Sequence, residues 1–194
     1  MYKIAITGKA NAGKNTAGKL LVKGLRENKI TYGRGHFIAF ADPIKEMARL
    51  AFPEVPRKWF YGPSKYRSEI IPGAFKDGIP LTVRQLLMDL GNDFGRKYQP
   101  ERWVKTFDHR LNKLKKYDII VVTDVRFRNE FDHLKNLGFF QIRMLRDEQL
   151  KIDDESETNQ DGISNTEFDA VIYNNGTKKE LQEQVNKIVP HLHE

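Results

Sequence analysis

The sequence contains no cysteine among its 194 residues. Disulfide bonds, thiolate metal sites and cysteine nucleophiles are therefore excluded. No apolar run approaches the roughly 18 residues of a membrane-spanning helix. The segment before Gly8 is too short and too soon interrupted to predict a signal peptide. We therefore expect a globular cytoplasmic protein with no membrane partner.

Acidic residues are fewer than basic ones, 26 against 33, so the formal net charge is +7. A positive surface suits acidic partners, either nucleic acid or small phosphorylated molecules. The same charge also occurs on basic soluble proteins without any such partner. The length predicts one domain, residues 1–194, with room for an inserted lobe.

A glycine-rich loop near the N-terminus carries the strongest local signal. The apolar run 2–7 (YKIAIT) predicts a buried strand, 8–14 reads GKANAGK, and 15–28 has the apolar spacing of a helix. Strand, glycine loop and helix form the context of a phosphate-binding loop. Backbone amides from about Ala10 to Lys14 can form an anion nest at the start of the helix. A chance glycine turn is the alternative.

The residues after Lys14 depart from the usual phosphate-loop pattern, in which Ser or Thr follows the lysine directly as a Mg²⁺ ligand. Here Asn15 follows and Thr16 comes next. Either Asn15 or Thr16 is expected to face the metal. Lys14 is expected to reach the outer phosphates.

The remaining chain alternates between short apolar runs and helical patterns, which predicts an α/β fold with a parallel sheet covered by helices on both faces. Further strands are predicted at 36–40, 118–124, 139–144 and 170–173, and further helices at 44–50, 83–97, 100–115, 131–137 and 178–189. Residues 53–81 hold five of the eight prolines and several aromatics, so they predict an irregular functional insertion. The acidic, polar stretch 147–167 predicts a loop.

Two acids follow predicted strands at the edge where parallel sheets bind ligands. Asp124 ends DIIVVTD, where an acid beside a phosphate loop usually holds Mg²⁺ or its waters. Val125 and Arg126 follow it, so no glutamate is placed to activate water, which favours transfer to a bound acceptor. Asp42, in FADP, is expected either to accept a proton from an acceptor phosphate or to orient an arginine or a metal water. Helix capping is the alternative for either acid.

Arginine and aromatic side chains lie near the same predicted edge. Arg67, Arg126, Arg143 and Arg146 can surround a transferring phosphoryl group with positive charge. Aromatic rings can stack on a base, although aromatics more often belong to a core; the candidates are Trp59, Tyr61 and Trp103.

Several motifs together resemble the phage-type deoxynucleoside monophosphate kinases. They occur in family order and cover nearly the whole chain: FADPIKEMA, YGPSKYRSE, TVRQLLMDLGNDFGR with PERWV, VVTDVRFRNE, and SETNQDG followed by VIYNNGT. The resemblance implies a P-loop kinase fold with a nucleotide-monophosphate-binding insertion (about 53–81) and a lid (about 146–167). It further implies transfer of the terminal phosphate of ATP to a deoxynucleoside monophosphate (dNMP), with Mg²⁺, in the cytoplasm of a bacterial host.

The resemblance also assigns roles. The catalytic set is Lys14, Asp42, Asp124, Arg126 and Arg143. ATP would be bound by Gly8, Asn11, Ala12, Gly13, Lys14, Asn15, Thr16, Asn175 and Gly176. The dNMP would be bound by Asp42, Trp59, Tyr61, Ser64, Arg67, Arg84 and Trp103. Arg143, Arg146 and Glu157 would belong to the lid, and Thr16 and Asp124 would bind the metal.

Two positions depart from the family pattern. Arg128 stands where a proline is common in DVRFPNE, and Asp153 to Glu155 precede Ser156 and Glu157 where a histidine is common. The second departure bears on the lid.

Two other functions stay open. A P-loop kinase for another small acceptor, such as a coenzyme precursor, would share every sheet-edge residue. A basic ATP-dependent nucleic-acid-binding protein would suit the charge, but no nucleic-acid module is recognisable, so no nucleic-acid partner is expected. The sequence does not fix the oligomeric state, and a homodimer is compatible with it.

Overall fold

A five-stranded, entirely parallel sheet forms the centre of the fold. The computed structural model describes residues 1–114, 116–147 and 159–192. The strands are β1 (Tyr2–Thr7), β2 (Gly35–Ile38), β3 (Ile70–Lys76), β4 (Ile79–Thr82), β5 (Ile119–Val125), β6 (Phe140–Leu145) and β7 (Ala170–Tyr173). The α-helices are α1 (Lys14–Glu27), α2 (Asp42–Ala51), α3 (Arg57–Tyr61), α4 (Val83–Asp89), α5 (Arg102–Leu111), α6 (Arg128–Asn136) and α7 (Lys178–Ile188).

The strand order of the central sheet is β2-β5-β1-β6-β7, so the first strand lies in the middle. The prediction of an α/β fold of P-loop kinase type with a parallel sheet is confirmed. Because all five strands run the same way, their carboxyl ends meet at one edge, where β1 leads into α1 and β5 leads into α6. That edge holds the candidate site.

Alternation along the strands divides the hydrophobic core between the two faces of the sheet. On one face, Ile4, Ile6, Val121 and Ile142 pack with apolar residues of α1 and α7 in a single buried cluster. On the other face lies α6, whose buried Phe131 contacts Phe168, with ring centroids 4.9 Å apart. Helices therefore cover both faces, as predicted.

The chain divides into two compact units, one comprising Met1–Ala39 with Asp108–Glu194 and the other Phe40–Phe107. The second unit has its own buried cluster, which includes Phe60, Ile71 and Val83. The predicted insertion at 53–81 lies within this unit. Within the first unit, Arg110 donates a hydrogen bond to the carbonyl oxygen of Ala39 at 3.5 Å.

The prediction that residues 53–81 are irregular is wrong, because they contain α3, a 3₁₀ turn at Ser64–Ser68 and the antiparallel pair β3 and β4. Asp77 and Gly78 form the turn of this hairpin, and both have positive φ, 52° and 78°. Asp-Gly is a favoured sequence for such turns. Pro72 and Pro80 are tolerated because each strand of a two-stranded sheet has a free edge.

The predicted helix at 83–97 is not one continuous α-helix. It is α-helical to Asp89 and continues as a π-helix over Leu90–Arg96. A Cβ on Gly95 would lie 2.2 Å from the Trp103 ring, and the Trp103 indole donates to the carbonyl oxygen of Gly91 at 2.7 Å. The wider π turn therefore accommodates a buried indole. Among the described residues, no helix is both long and apolar enough to cross a membrane.

Candidate active site

The loop between β1 and α1 has the backbone conformation that its glycines predict. Gly13 has φ of 95° and Asn11 has φ of 63°, both left-handed. A Cβ on Gly13 would lie 2.5 Å from the side-chain nitrogen of Asn174, and one on Gly8 would lie 2.5 Å from the carbonyl oxygen of Met144. Contact with backbone therefore requires glycine at position 8, and the left-handed φ together with the nearby Asn174 amide favours it at position 13.

Lys14 closes this loop. Its ammonium group donates hydrogen bonds to the carbonyl oxygens of Gly8 and Lys9, the latter at 2.7 Å. The lysine side chain therefore lies back over the loop at the first residue of α1, where the helix dipole already favours an anion. The predicted phosphate contacts of Lys14 would start from this position.

Asn174, after β7, supports the loop from its other side. Its backbone N–H donates to the carbonyl oxygen of Leu145 at 2.8 Å, and its side chain donates to the carbonyl oxygen of Ala12 at 2.9 Å. The predicted ATP-binding residue Asn175 is instead paired with Asp147, by one bond in each direction at 2.7 and 2.9 Å. Gly176 follows in the same exposed turn before α7.

Two charged side chains from beyond β6 also reach the loop. The ammonium group of Lys9 lies 3.0 Å from the carboxylate of Asp161. Arg146 donates to the carbonyl oxygen of Asn11 at 3.5 Å. Glu157, assigned to the lid, lies outside the described residues, and only part of the predicted lid, residues 146–147 and 159–167, is described.

Asn15 is joined to the end of β5. The Thr123 hydroxyl donates to its amide oxygen at 2.6 Å, and Asp124, half-buried, is the next residue along the strand. Thr16, the next residue of α1, is exposed and is rotated about 100° from Asn15 around the helix axis. The structure therefore brings Asn15 to the sheet edge that carries Asp124.

Glu130 is a residue that the sequence analysis missed. Its carboxylate is 2% exposed and accepts the backbone N–H groups of Arg126 at 2.9 Å and Phe127 at 3.2 Å. It occupies the third position of α6, where a glutamate commonly completes a capping box. The N-cap residue here is Phe127, whose side chain has no acceptor, so a glutamate three residues after it was only a weak signal in the sequence.

Arg143 is engaged by protein groups on the second face of the sheet. It is 9% exposed, donates to the carbonyl oxygen of Ile163, and lies 5.3 Å from the centroid of the Phe168 ring. These contacts connect β6 to the segment that follows residue 158.

The other predicted site residues belong to the second unit. Asp42 begins α2, and its carboxylate lies 3.5 Å from the ammonium group of Lys45. Lys45 and Arg57 lie over the Tyr61 ring, at 5.7 and 4.4 Å from its centroid. Burial, followed by the charges of Glu46 and Asp42, raises the pKa of the Tyr61 hydroxyl. This hydroxyl therefore remains protonated at neutral pH and can donate.

The remaining predicted acceptor residues differ in exposure. Arg67 donates to the carbonyl oxygen of Trp59. Ser64 is exposed, and Arg84 is half-buried on α4. Trp103 is 3% exposed, which favours a structural role for its indole over base stacking.

Among the described residues, no group of three His, Cys, Asp or Glu side chains could hold a metal ion. Mg²⁺ commonly needs only one or two carboxylates together with substrate phosphates and water. The oxygen donors beside β5 therefore fit a Mg²⁺ ion that is bound mainly by substrate phosphates and water, with few protein ligands.

A model of the deoxynucleotide monophosphate kinase family matches residues 64–185. The chain belongs to this family. It is also 27% identical, over 95% of its length, to a protein of Acanthamoeba polyphaga mimivirus named "Putative deoxynucleotide monophosphate kinase", of which 94% is covered. Membership of the deoxynucleotide monophosphate kinase family identifies the chain as a nucleotide kinase. The matched range includes Asp124, Arg126 and Asn175 but not residues 8–16, so the proposal that residues 8–16 bind phosphate rests on the geometry of that loop.

Proposed function

We propose that the protein transfers the γ-phosphate of Mg²⁺-ATP to a dNMP, giving dNDP and ADP. The observation that carries this proposal is the backbone of the loop at residues 8–13, which is left-handed at Asn11 and Gly13 and closely packed at Gly8; turns with left-handed residues at the start of a helix are typical of anion nests. The loop lies beside β5 and its acid, in a chain of the deoxynucleotide monophosphate kinase family.

The donor phosphates would lie on the N-terminus of α1. Backbone N–H groups of the loop and the helix dipole would bind them, and Lys14 would exchange its contacts with Gly8 and Lys9 for the β- and γ-phosphates. Phosphoryl transfer requires little covalent participation by the protein, so orientation and positive charge supply most of the catalysis. We therefore assign Lys14 to the reacting phosphates.

Asn15 of α1, whose amide oxygen is joined to Thr123 of β5, and Asp124, the next residue of that strand, would supply amide and carboxylate oxygens to a Mg²⁺ ion. When bound, the ion would neutralise charge on the phosphates. Asn15 is favoured over Thr16 as its partner because only Asn15 is joined to the Asp124 strand. Thr123 orients the Asn15 amide.

Asn15→Ala is expected to raise the Mg²⁺ concentration for half-maximal activity about tenfold, whereas Thr16→Ala changes it less than about twofold on the same scale. Both side chains are exposed, so neither truncation opens a cavity. Mg²⁺ titrations of the initial rate at saturating ATP provide the measurement. A larger effect of Thr16→Ala would assign the metal contact to Thr16 instead.

Arg126 is the arginine that we assign to the transfer site, since it follows Asp124 by two residues and its backbone is held by Glu130. Arg143 is better assigned to positioning, because its guanidinium contacts Ile163 and Phe168.

We assign acceptor binding to the second unit. Tyr61 lies under two cations and keeps its hydroxyl proton, so it can donate to a phosphate or a base. Asp42, Trp59, Ser64, Arg67 and Arg84 complete the proposed set, and the burial of Trp103 makes it a support for this unit. Arginine and tyrosine suit an acceptor that combines a phosphate with an aromatic base.

The test is to mix purified protein with Mg²⁺-ATP and each of dAMP, dGMP, dCMP and dTMP, and to follow ADP and dNDP together. Equal formation of the two products with at least one dNMP is expected. ADP without dNDP would show water as the acceptor. Product with only ribonucleotides or a coenzyme precursor would contradict the assignment of a deoxynucleotide as acceptor.

A further inference from the structure

Glu130 is a carboxylate buried close to the proposed transfer site. It is one of five buried polar or charged residues in the described part of the chain, the others being Thr7, Gln141, Arg143 and Gln160. Burial of a carboxylate is costly unless hydrogen bonds replace its water. Glu130 has such bonds, and both of the backbone donors that we describe belong to the turn that carries Arg126.

The hydrogen bonds of Glu130 go beyond those of an ordinary capping box. In that motif a glutamate at the third helical position accepts the N–H group of the N-cap residue, which here is Phe127 at 3.2 Å. The same Oε2 atom also accepts the N–H group of Arg126 at 2.9 Å. One buried oxygen therefore holds two successive peptide groups of the β5–α6 turn.

Other helix starts in the chain show how this arrangement differs. Glu180 makes the equivalent capping contact with Thr177 at the start of α7, but it is exposed. A capping contact made by an exposed side chain stabilises the helix but does not hold the backbone of a functional site in place. A buried, charge-assisted contact is stronger and restricts the backbone more tightly.

We propose that Glu130 is a positioning residue for phosphoryl transfer, which it serves by fixing the backbone of Arg126 two residues after Asp124. This inference rests on the proposed function. Arg126 can stabilise charge in the transition state only if its guanidinium is held in place, and a displacement of about 1 Å can cost about 100-fold in rate. Glu130 itself contacts no substrate.

Glu130→Gln keeps the volume and one acceptor oxygen but removes the charge. It is expected to lower kcat about tenfold, with KM for ATP changed less than about twofold, because the donor site lies on another loop. Glu130→Ala is expected to lower kcat further, giving the order wild type, Gln, Ala. Initial rates over an ATP concentration series, with the best dNMP acceptor saturating, measure both constants.

A double-mutant cycle separates positioning from stability. If Glu130 acts through Arg126, Glu130→Gln in an Arg126→Ala background is expected to change the residual kcat less than about twofold. An equal fall of kcat in both backgrounds would overturn the proposal. Unchanged kcat in Glu130→Gln would overturn it as well.

Asp169→Asn is a control for the loss of a carboxylate that accepts a backbone N–H group; Asp169 is exposed whereas Glu130 is buried, so thermal unfolding of both variants is measured alongside their rates. Asp169 also accepts a backbone N–H group through its carboxylate, from Gln141 at 2.7 Å, but it precedes β7 at the opposite edge of the sheet. The kcat of Asp169→Asn is expected to stay within about twofold of the wild-type value. A loss like that of Glu130→Gln would indicate a general effect of destabilisation.

Amide hydrogen exchange tests the same contact without turnover. The amides of Arg126 and Phe127 are expected to exchange about tenfold faster in Glu130→Ala than in the wild type, and Asp169→Asn is expected to leave them unchanged. If the wild type transferred no phosphate to any acceptor, the proposed function would be wrong, and exchange alone would decide whether Glu130 anchors the turn. Unchanged exchange would refute the anchoring.

Discussion

Lys14→Ala is expected to reduce phosphoryl transfer at least about 100-fold while the protein stays folded. Loss of a single charged or polar donor from a preorganised site typically costs about 100- to 1000-fold in kcat. The ammonium group of the lysine donates to the carbonyl oxygens of Gly8 and Lys9. Lys9 is half-buried and Gly8 is buried, so truncation is expected to cost some stability at the Gly8 carbonyl oxygen without unfolding the protein. Initial rates with Mg²⁺-ATP and the best acceptor measure the loss, and thermal unfolding checks the fold.

Lys19→Ala is the control for this substitution. Lys19 is exposed on the same helix, so its loss changes the net charge equally without touching the loop. Its turnover is expected to match the wild type. A folded Lys14→Ala protein with normal turnover would contradict the phosphate-loop assignment.

Gly13→Ala is expected to abolish measurable ATP binding and to destabilise the protein. The residue has φ of 95°, which costs an L-residue about 1–2 kcal/mol, and its Cβ would lie 2.5 Å from the Asn174 side chain. Relief of that contact must move either the loop or Asn174, which donates to Ala12. Both movements disturb the anion nest. Titration calorimetry with a slowly hydrolysed ATP analogue measures binding.

Gly138→Ala separates the effect of a positive φ from the effect of a close Cβ contact. Gly138 also has positive φ, 73°, but a Cβ there would meet nothing within 4 Å. The control is expected to lose only the conformational term of about 1–2 kcal/mol and to bind ATP normally. Normal ATP binding by Gly13→Ala would place the donor elsewhere in the protein.

The central sheet was predictable because its signals are local and strong. The run ending at Asp124 is β-branched and continuous, as a strand buried on both faces requires, and the loop at residues 8–14 has glycines where the backbone demands them. The position of β1 at the centre of the sheet is set by long-range pairing with β5 and β6. The residues of a single strand do not indicate which other strands it pairs with.

The second unit was predicted less well because its signals conflict. Pro72 and Pro80 argue against strands, yet each strand of a two-stranded hairpin has an edge where a missing N–H costs little. The turn-forming sequence Asp77-Gly78 favours the hairpin more strongly than the prolines disfavour it. The burial of Trp103 against Gly91 and Gly95 depends on a π-helical turn that no local sequence pattern indicates. Tertiary packing decided both outcomes.

For the candidate site, the sequence proposes residues but does not give the contacts among them. The sequence left Asn15 and Thr16 equivalent, and only the hydrogen bond from Thr123 across the sheet separates them. Glu130 was missed because its spacing reads as a helix cap, whereas its burial and its second bond to Arg126 are visible only in the fold.

The bond between Arg110 and Ala39 bears on how this protein can diversify. The chain leaves the first unit after Ala39 and re-enters it at Asp108, within three residues of that bond, and β2 and β5 are already neighbours in the sheet. The intervening segment is therefore an insertion at one point of a self-contained scaffold, and insertions of this kind are well tolerated. If acceptor binding belongs to the second unit, as we propose, exchange or remodelling of the 68 residues of Phe40–Phe107 would change the acceptor and leave the proposed donor site in the first unit unchanged.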